Sequence, residues 1–197
     1  MKRLSFLAAV IFAVAALVSF NNVSAKDGLA VGATMENFTL TDTSGVSKSF
    51  NDLKGKNGAI LVFLSVQCPV VKGYNERIVK LAEDYAAKGI NVIGINSNST
   101  ESPEKVKAHA AENYKFTVLV DKGNVIADKL GANVTPEIFY LNEKNVLVYH
   151  GAIDNSRNGD KITDNYLRDA VESNLSGKAV AKTTANAFGC SIKRVTE

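Results

Sequence analysis

Cysteine is nearly absent from this chain of 197 residues, which carries only Cys68 and Cys190. Two cysteines allow one disulfide at most, so a small scaffold held by several bridges is excluded. Histidine is as scarce, with His109 and His150 alone, and a metal site would have to draw on these few residues. The charges nearly cancel, at a net +3, and are interspersed. No basic tract with interleaved aromatics exists, which argues against nucleic acid as a partner. The chain has no internal repeat, no low-complexity stretch and one long apolar run.

That run opens the chain. Lys2 and Arg3 precede an apolar stretch from Leu4 to Phe20, followed by Asn21, Asn22 and the small-residue pattern Val23-Ser24-Ala25. A charged start, an apolar centre and small residues before a cut are the order of a secretory signal. Residues 1–25 are therefore expected to be a signal peptide cleaved after Ala25. The product would be periplasmic or secreted, with no stable membrane insertion afterwards. An uncleaved anchor is the alternative, since the run is near the lower limit for spanning a bilayer. From Lys26 onward the length suits one domain with a proper core. That domain is assigned to residues 26–180, with a tail over 181–197 that carries Cys190.

Strand and helix patterns alternate through the domain. Phe38 to Thr41 and Val46 to Phe50 alternate apolar and polar residues about the turn signal Thr43-Ser44-Gly45, which predicts a β-hairpin. Ala59 to Leu64 is an unbroken apolar run bounded by glycine and predicts a central strand buried on both faces. Val71, Tyr74, Ile78, Leu81 and Tyr85 recur at helical spacing, and Lys88-Gly89 is the expected stop. Ile90 to Ile95 is the next buried strand. Ser102-Pro103 opens a second helix, with Val106, His109 and Ala110 on its inner side. Phe116 to Val120 predicts a strand and Val125 to Leu130 a short helix. Glu137 to Leu141 and Val146 to His150 flank a tight polar loop and predict antiparallel strands. A last helix carries Tyr166, Leu167, Ala170, Val171 and Leu175. Helical crossovers give parallel neighbours and the hairpins add antiparallel ones. The prediction is a mixed central sheet covered by helices on both faces.

Cys68 follows the first core strand by a short loop and stands before Pro69. Proline at the first helical position needs no N–H partner, so Cys68 falls at or beside the helix N-cap. Unpaired amides and the positive end of the helix dipole favour its thiolate, the nucleophilic form, and should lower its pKa below about 8.5. The alternative is an inert buried cysteine.

Three segments together resemble the thioredoxin superfamily: Val62-Phe63-Leu64-Ser65-Val66-Gln67-Cys68-Pro69, Val92-Ile93-Gly94-Ile95-Asn96 and Val134-Thr135-Pro136-Glu137-Ile138-Phe139. Within it they are most similar to the peroxiredoxin-like proteins of the alkyl hydroperoxide reductase/thiol-specific antioxidant group. The ending Phe188-Gly189-Cys190-Ser191-Ile192-Lys193 resembles that of a poorly characterised peroxiredoxin-like branch. The resemblance implies an α/β, thioredoxin-like three-layer fold: a mixed central β-sheet flanked by helices, with an N-terminal β-hairpin. It implies that Cys68 is the attacking cysteine and that Thr135-Pro136 is the dipeptide whose proline is cis beside the thiol. It further implies that the Ser65 hydroxyl hydrogen-bonds the thiolate. No cofactor is called for.

The sequence also departs from the family pattern. Val71 stands where a thioredoxin has its second cysteine, so no local dithiol exists, and Leu61 replaces a peroxiredoxin proline. The thiolate-pairing arginine has no obvious match, although Arg157 lies after the last hairpin. Lys72 stands where a copper chaperone of this fold has its second cysteine, which leaves His109 and His150 without one soft ligand. Cys190 is 122 positions from Cys68 (190 − 68 = 122). If the tail folds back, Cys190 resolves an oxidised Cys68 as a disulfide; otherwise it is a spare thiol, an intermolecular partner or half of a static bridge. The leading expectation is peroxide reduction, in which Cys68 becomes a sulfenic acid and is regenerated by Cys190 or an external thiol reductant. A second is thiol–disulfide exchange with protein disulfides. A third is a metal-handling or purely binding module.

Overall fold

The computed structural model describes residues 28–196, so the expected signal segment and its cut after Ala25 lie outside the described residues. In chain order the elements are β1 (Thr39–Asp42), β2 (Ser47–Ser49), α1 (Phe50–Leu53), β3 (Gly58–Leu64), α2 (Pro69–Ala86), β4 (Ile90–Asn96) and α3 (Pro103–Asn113). They continue with β5 (Val118–Val120), α4 (Val125–Leu130), β6 (Val134–Thr135), β7 (Glu137–Asn142), β8 (Leu147–Gly151), α5 (Tyr166–Leu175) and β9 (Cys190–Ser191).

Seven strands form one sheet in the order β2-β1-β5-β4-β3-β7-β8. The β3–β4 and β4–β5 pairs are parallel, across the helical crossovers α2 and α3. The β1–β2, β1–β5, β3–β7 and β7–β8 pairs are antiparallel. The mixed sheet and the N-terminal hairpin are thus as expected.

Strand β3 shows why the sheet sits at the centre. All seven of its residues are buried, and because successive side chains point to opposite faces they serve two cores. Ile60, Val62 and Leu64 join the inner stripe of α2 (Val71, Tyr74, Ile78, Leu81, Tyr85), Val106 of α3 and Leu167 of α5. Leu61 and Phe63 join Phe50 of α1 and Ile126 and Leu130 of α4 on the other side. Each large side chain so enclosed contributes about 1.5–3 kcal/mol.

Several boundaries differ from the sequence expectation. Phe50 begins α1 instead of ending the hairpin, because its ring is wholly buried and stacks on Phe38 with centroids 5.1 Å apart. The strand expected from Phe116 begins at Val118, while Phe116 stacks on Tyr114 at 4.8 Å. Helix α2 ends at Ala86, before Lys88, whose ammonium reaches Glu172 of α5 at 2.5 Å. His109 is only half buried and sits edge-on to the Tyr114 ring.

The largest addition is a second sheet, β6 paired antiparallel with β9, made from the tail. Upstream of β9 the tail is tied to the β8 edge: His150 N–H donates to the Thr183 carbonyl at 3.0 Å, and Ala185 N–H to the His150 carbonyl at 3.1 Å. Gly151 makes room for this, since a Cβ there would overlap the Ala185 carbonyl. Downstream, Ile192 is 6% exposed in the core beneath α4, and its N–H donates to the Asn133 carbonyl at 2.9 Å. Lys193 N–H then donates to Asn98 Oδ1, and Val195 N–H to Asn124 Oδ1. The tail is thereby held on both sides of Cys190.

Candidate functional site

The loop Ser65–Gln67 leaves β3 at the carboxyl edge of the parallel strands and delivers Cys68 to the N-cap of α2, with Pro69 at the first helical position. Cys68 is 1% exposed. Its thiol donates to the Thr135 carbonyl at 3.1 Å. The Thr135–Pro136 peptide is cis, and β6, which ends at Thr135, pairs with β9 so that Thr135 stands opposite Cys190. Gly189 permits this approach, because a Cβ at that position would overlap the Thr135 carbonyl oxygen.

The two sulfurs meet there. Cys68 Sγ and Cys190 Sγ are 2.6 Å apart, and both residues are free thiols. The amides at the start of α2 are divided between them: that of Val71 faces Cys68 and that of Val70 faces Cys190. The Val71 amide acts on the sulfur without closing a capping hydrogen bond. Burial works against the Cys68 thiolate, but the Cys190 thiol, the Val71 amide and Thr135 together outweigh it and hold the Cys68 pKa below the ordinary thiol range. Burial, followed by the hydrogen bond to Cys68 and its charge, pushes the Cys190 thiol up. The two thiols are thus shifted in opposite directions, Cys68 downward and Cys190 upward.

Two carboxylates not singled out from sequence build the walls of this site. Glu101, in the segment between β4 and α3, is buried and accepts four hydrogen bonds. These come from the Ser65 hydroxyl (2.5 Å), the amides of Val66 and Gln67 (3.0 Å each) and Asn96 Nδ2 (2.6 Å). It clamps the whole loop that presents Cys68. The expectation that Ser65 bonds the thiolate is therefore corrected: its hydroxyl is committed to Glu101, whose carboxylate is the stronger acceptor within reach. Glu137, directly after the cis proline, accepts the amides of Asn133 (2.7 Å) and Val134 (3.0 Å) and lies 2.6 Å from His150 Nε2. It fixes the segment on which the tail strand is laid. A glutamate opening an otherwise apolar strand was the available signal for Glu137, whereas Glu101 sits in a polar loop with nothing to mark it.

Arg157 is exposed, and its positive charge favours the Cys190 thiolate. Among the described residues no arginine hydrogen-bonds Cys68. Arg77, a half-buried cation of α2, is spent on Asp154 at 2.6 Å and on the Tyr74 ring at 3.6 Å. His109 and His150 belong to different elements, α3 and β8. Among the described residues no cluster of three His, Cys, Asp or Glu side chains has the spacing to hold a metal ion.

Known proteins resemble this chain. The thiol-disulfide oxidoreductase ResA of Halalkalibacterium halodurans is 30% identical over 149 residues, covering 74% of this chain and 82% of that one. The thioredoxin-like protein YneN of Bacillus subtilis is 31% identical over 122 residues, covering 61% and 70%. Among solved structures, a hypothetical protein of Sinorhizobium meliloti superposes with a TM-score of 0.78 at 33% identity, over 86% of this chain and 97% of that one. The fold is thioredoxin-like. Residues 31–150, which hold Cys68, Glu101 and the cis proline, match the AhpC/TSA family, and the chain belongs to that family.

Proposed function

We propose that the chain is an exported thiol–disulfide oxidoreductase whose redox couple is Cys68 and Cys190. The observation that carries this reading is the 2.6 Å approach of two sulfurs 122 positions apart, beside a cis proline and a helix N-terminus. The pair does what a C-x-x-C motif does locally, with the tail supplying the second thiol. In one direction a partner disulfide is reduced to two thiols while Cys68 and Cys190 join, and an external thiol reduces the couple again; in the other the Cys68–Cys190 disulfide oxidises a partner dithiol and is left as two thiols, which an external disulfide re-oxidises. Both electrons reside on sulfur throughout, so no cofactor enters the reaction. The relatives called thiol-disulfide oxidoreductases support this substrate class. Export rests on the charged, apolar and small-residue order of residues 1–25. The catalytic pair would be Cys68 and Cys190, with Pro69, Thr135 and Pro136 shaping the site and Ser65 acting through Glu101. A turnover assay with a model protein disulfide and dithiothreitol tests it. The intact protein should accelerate reduction, and no acceleration over dithiothreitol alone would refute the assignment.

Peroxide reduction is the second reading, favoured by the family and by the depressed Cys68 pKa. The commitment of Ser65 to Glu101 and the lack, among the described residues, of an arginine hydrogen-bonded to Cys68 count against it. Stopped-flow mixing with hydrogen peroxide decides. Oxidation of Cys68 no faster than that of a free thiol removes this alternative.

A further inference from the structure

The two sulfurs are unequally placed, and this sets the order of the exchange. Cys68 is 1% exposed and enclosed by Leu64, Val70, Val71 and Thr135, with Cys190 against it. Cys190 is partly exposed on a two-residue strand. Uncovering Cys68 would require lifting a tail tied at Ala185 to the β8 edge, at Ile192 into the core, and at Lys193 and Val195 to Asn98 and Asn124. Cys190 is partly exposed with all of these contacts in place.

Resting on the exchange reading above, we propose that partner thiols attack the Cys68–Cys190 disulfide at Cys190, and that Cys68 is the buried leaving and resolving sulfur. This reverses the roles that the family resemblance implies, in which Cys68 makes the first bond. In the step, an external thiolate forms an S–S bond to Cys190 Sγ while the Cys68–Cys190 bond breaks. The bonding pair leaves on Cys68 as a thiolate. A second external thiolate then attacks the partner sulfur of the mixed disulfide. This forms the partner's disulfide and frees Cys190. By microscopic reversibility, a substrate disulfide is opened by Cys190 and the product is expelled when Cys68 attacks Cys190. The surroundings of Cys68 suit a leaving group, because the Val71 and Cys190 amides face its sulfur and favour the charge. A thiol of lower pKa leaves faster.

The test compares Cys68→Ser and Cys190→Ser, each folded, in their second-order rates with an aromatic disulfide reagent. Each rate is normalised to the same variant unfolded. With Cys190 as the remaining thiol the folded rate should be at least about tenfold higher than with Cys68 remaining, because access governs a native thiol. Equal rates, or a faster Cys68, overturn the proposal. A second measurement uses the oxidised wild-type protein mixed with glutathione, acid-quenched and mapped by mass spectrometry. Glutathione on Cys190 supports the order and glutathione on Cys68 overturns it. If the oxidised wild type contains no 68–190 disulfide, the exchange reading itself fails, and the variant rates still report which sulfur is accessible.

Discussion

Cys68 and Cys190 reach the same point by opposite routes. Cys68 is placed by its own neighbourhood: an all-buried strand, a three-residue loop clamped by Glu101, a proline and a helix start. Cys190 has almost no local structure around it. It is placed by pairing with Thr135, by the missing side chain of Gly189 and by anchors on either side. The difference teaches that two thiols can be brought together from one locally determined position and one delivered by the end of the chain. The second half is then the adjustable half.

Substitution of either cysteine by serine is the severest test of that pairing. Both Cys68→Ser and Cys190→Ser should lower protein-disulfide turnover at least about a hundredfold, as expected when two residues act as a unit. Retained activity in Cys190→Ser would cut the tail out of the reaction. Gly189→Val separates delivery from chemistry. The added Cβ meets the Thr135 carbonyl, and overpacking of this kind costs about 1–3 kcal/mol. The tail strand should lift, so the yield of 68–190 disulfide under mild oxidation should fall while Cys68 stays in its loop; peptide mapping reads both. Glu101→Ala strikes the other half. It leaves the Ser65 hydroxyl, two amides and Asn96 without their acceptor, and one such buried group costs about 1–3 kcal/mol. A thermal melt should drop by several degrees.

The same division explains what could be read in advance. The layers, the hairpins and the position of Cys68 follow from periodicity and from Pro69, which act over a few residues. The cis proline was legible through the Val134-Thr135-Pro136-Glu137 segment and its resemblance. In the tail, Cys190 was legible as a candidate resolving thiol through the resemblance of the ending, but its path was not, because Gly189, Ile192 and the carbonyls they meet show no pattern until Thr135 and Asn133 are beside them. Ser65 was found in the right loop with the wrong partner, since its acceptor comes from residue 101. Glu101 and Glu137 look like ordinary solvated carboxylates until the loops they clamp are folded around them.

Ionisation separates the two thiols further. In the reduced protein Cys68 should titrate below the ordinary thiol value of about 8.5, followed by its ultraviolet thiolate absorbance. Cys190→Ala should move it upward by removing a hydrogen-bond donor. Because the Cys68 pKa is depressed on folding, its ionisation stabilises the fold. That contribution is present above the unfolded thiol value and is lost as pH falls through the folded one. Cys190, whose pKa is raised, contributes in the opposite sense: its stabilisation is present below the unfolded value and is lost as pH rises through the folded one. The smallest effect belongs to Arg157. It is exposed, and Arg157→Ala should change the rate of Cys190 with an anionic disulfide reagent by no more than a few-fold, an effect erased by salt.

The most direct measurement equilibrates the chain from Lys26 onward in graded dithiothreitol redox buffers and maps its cysteines by mass spectrometry after acid quenching. A single intramolecular 68–190 disulfide should form and disappear reversibly along one two-electron curve. Oxidation that ends in a Cys68 sulfenic acid, or in disulfides between chains with Cys190 left free, would contradict the account.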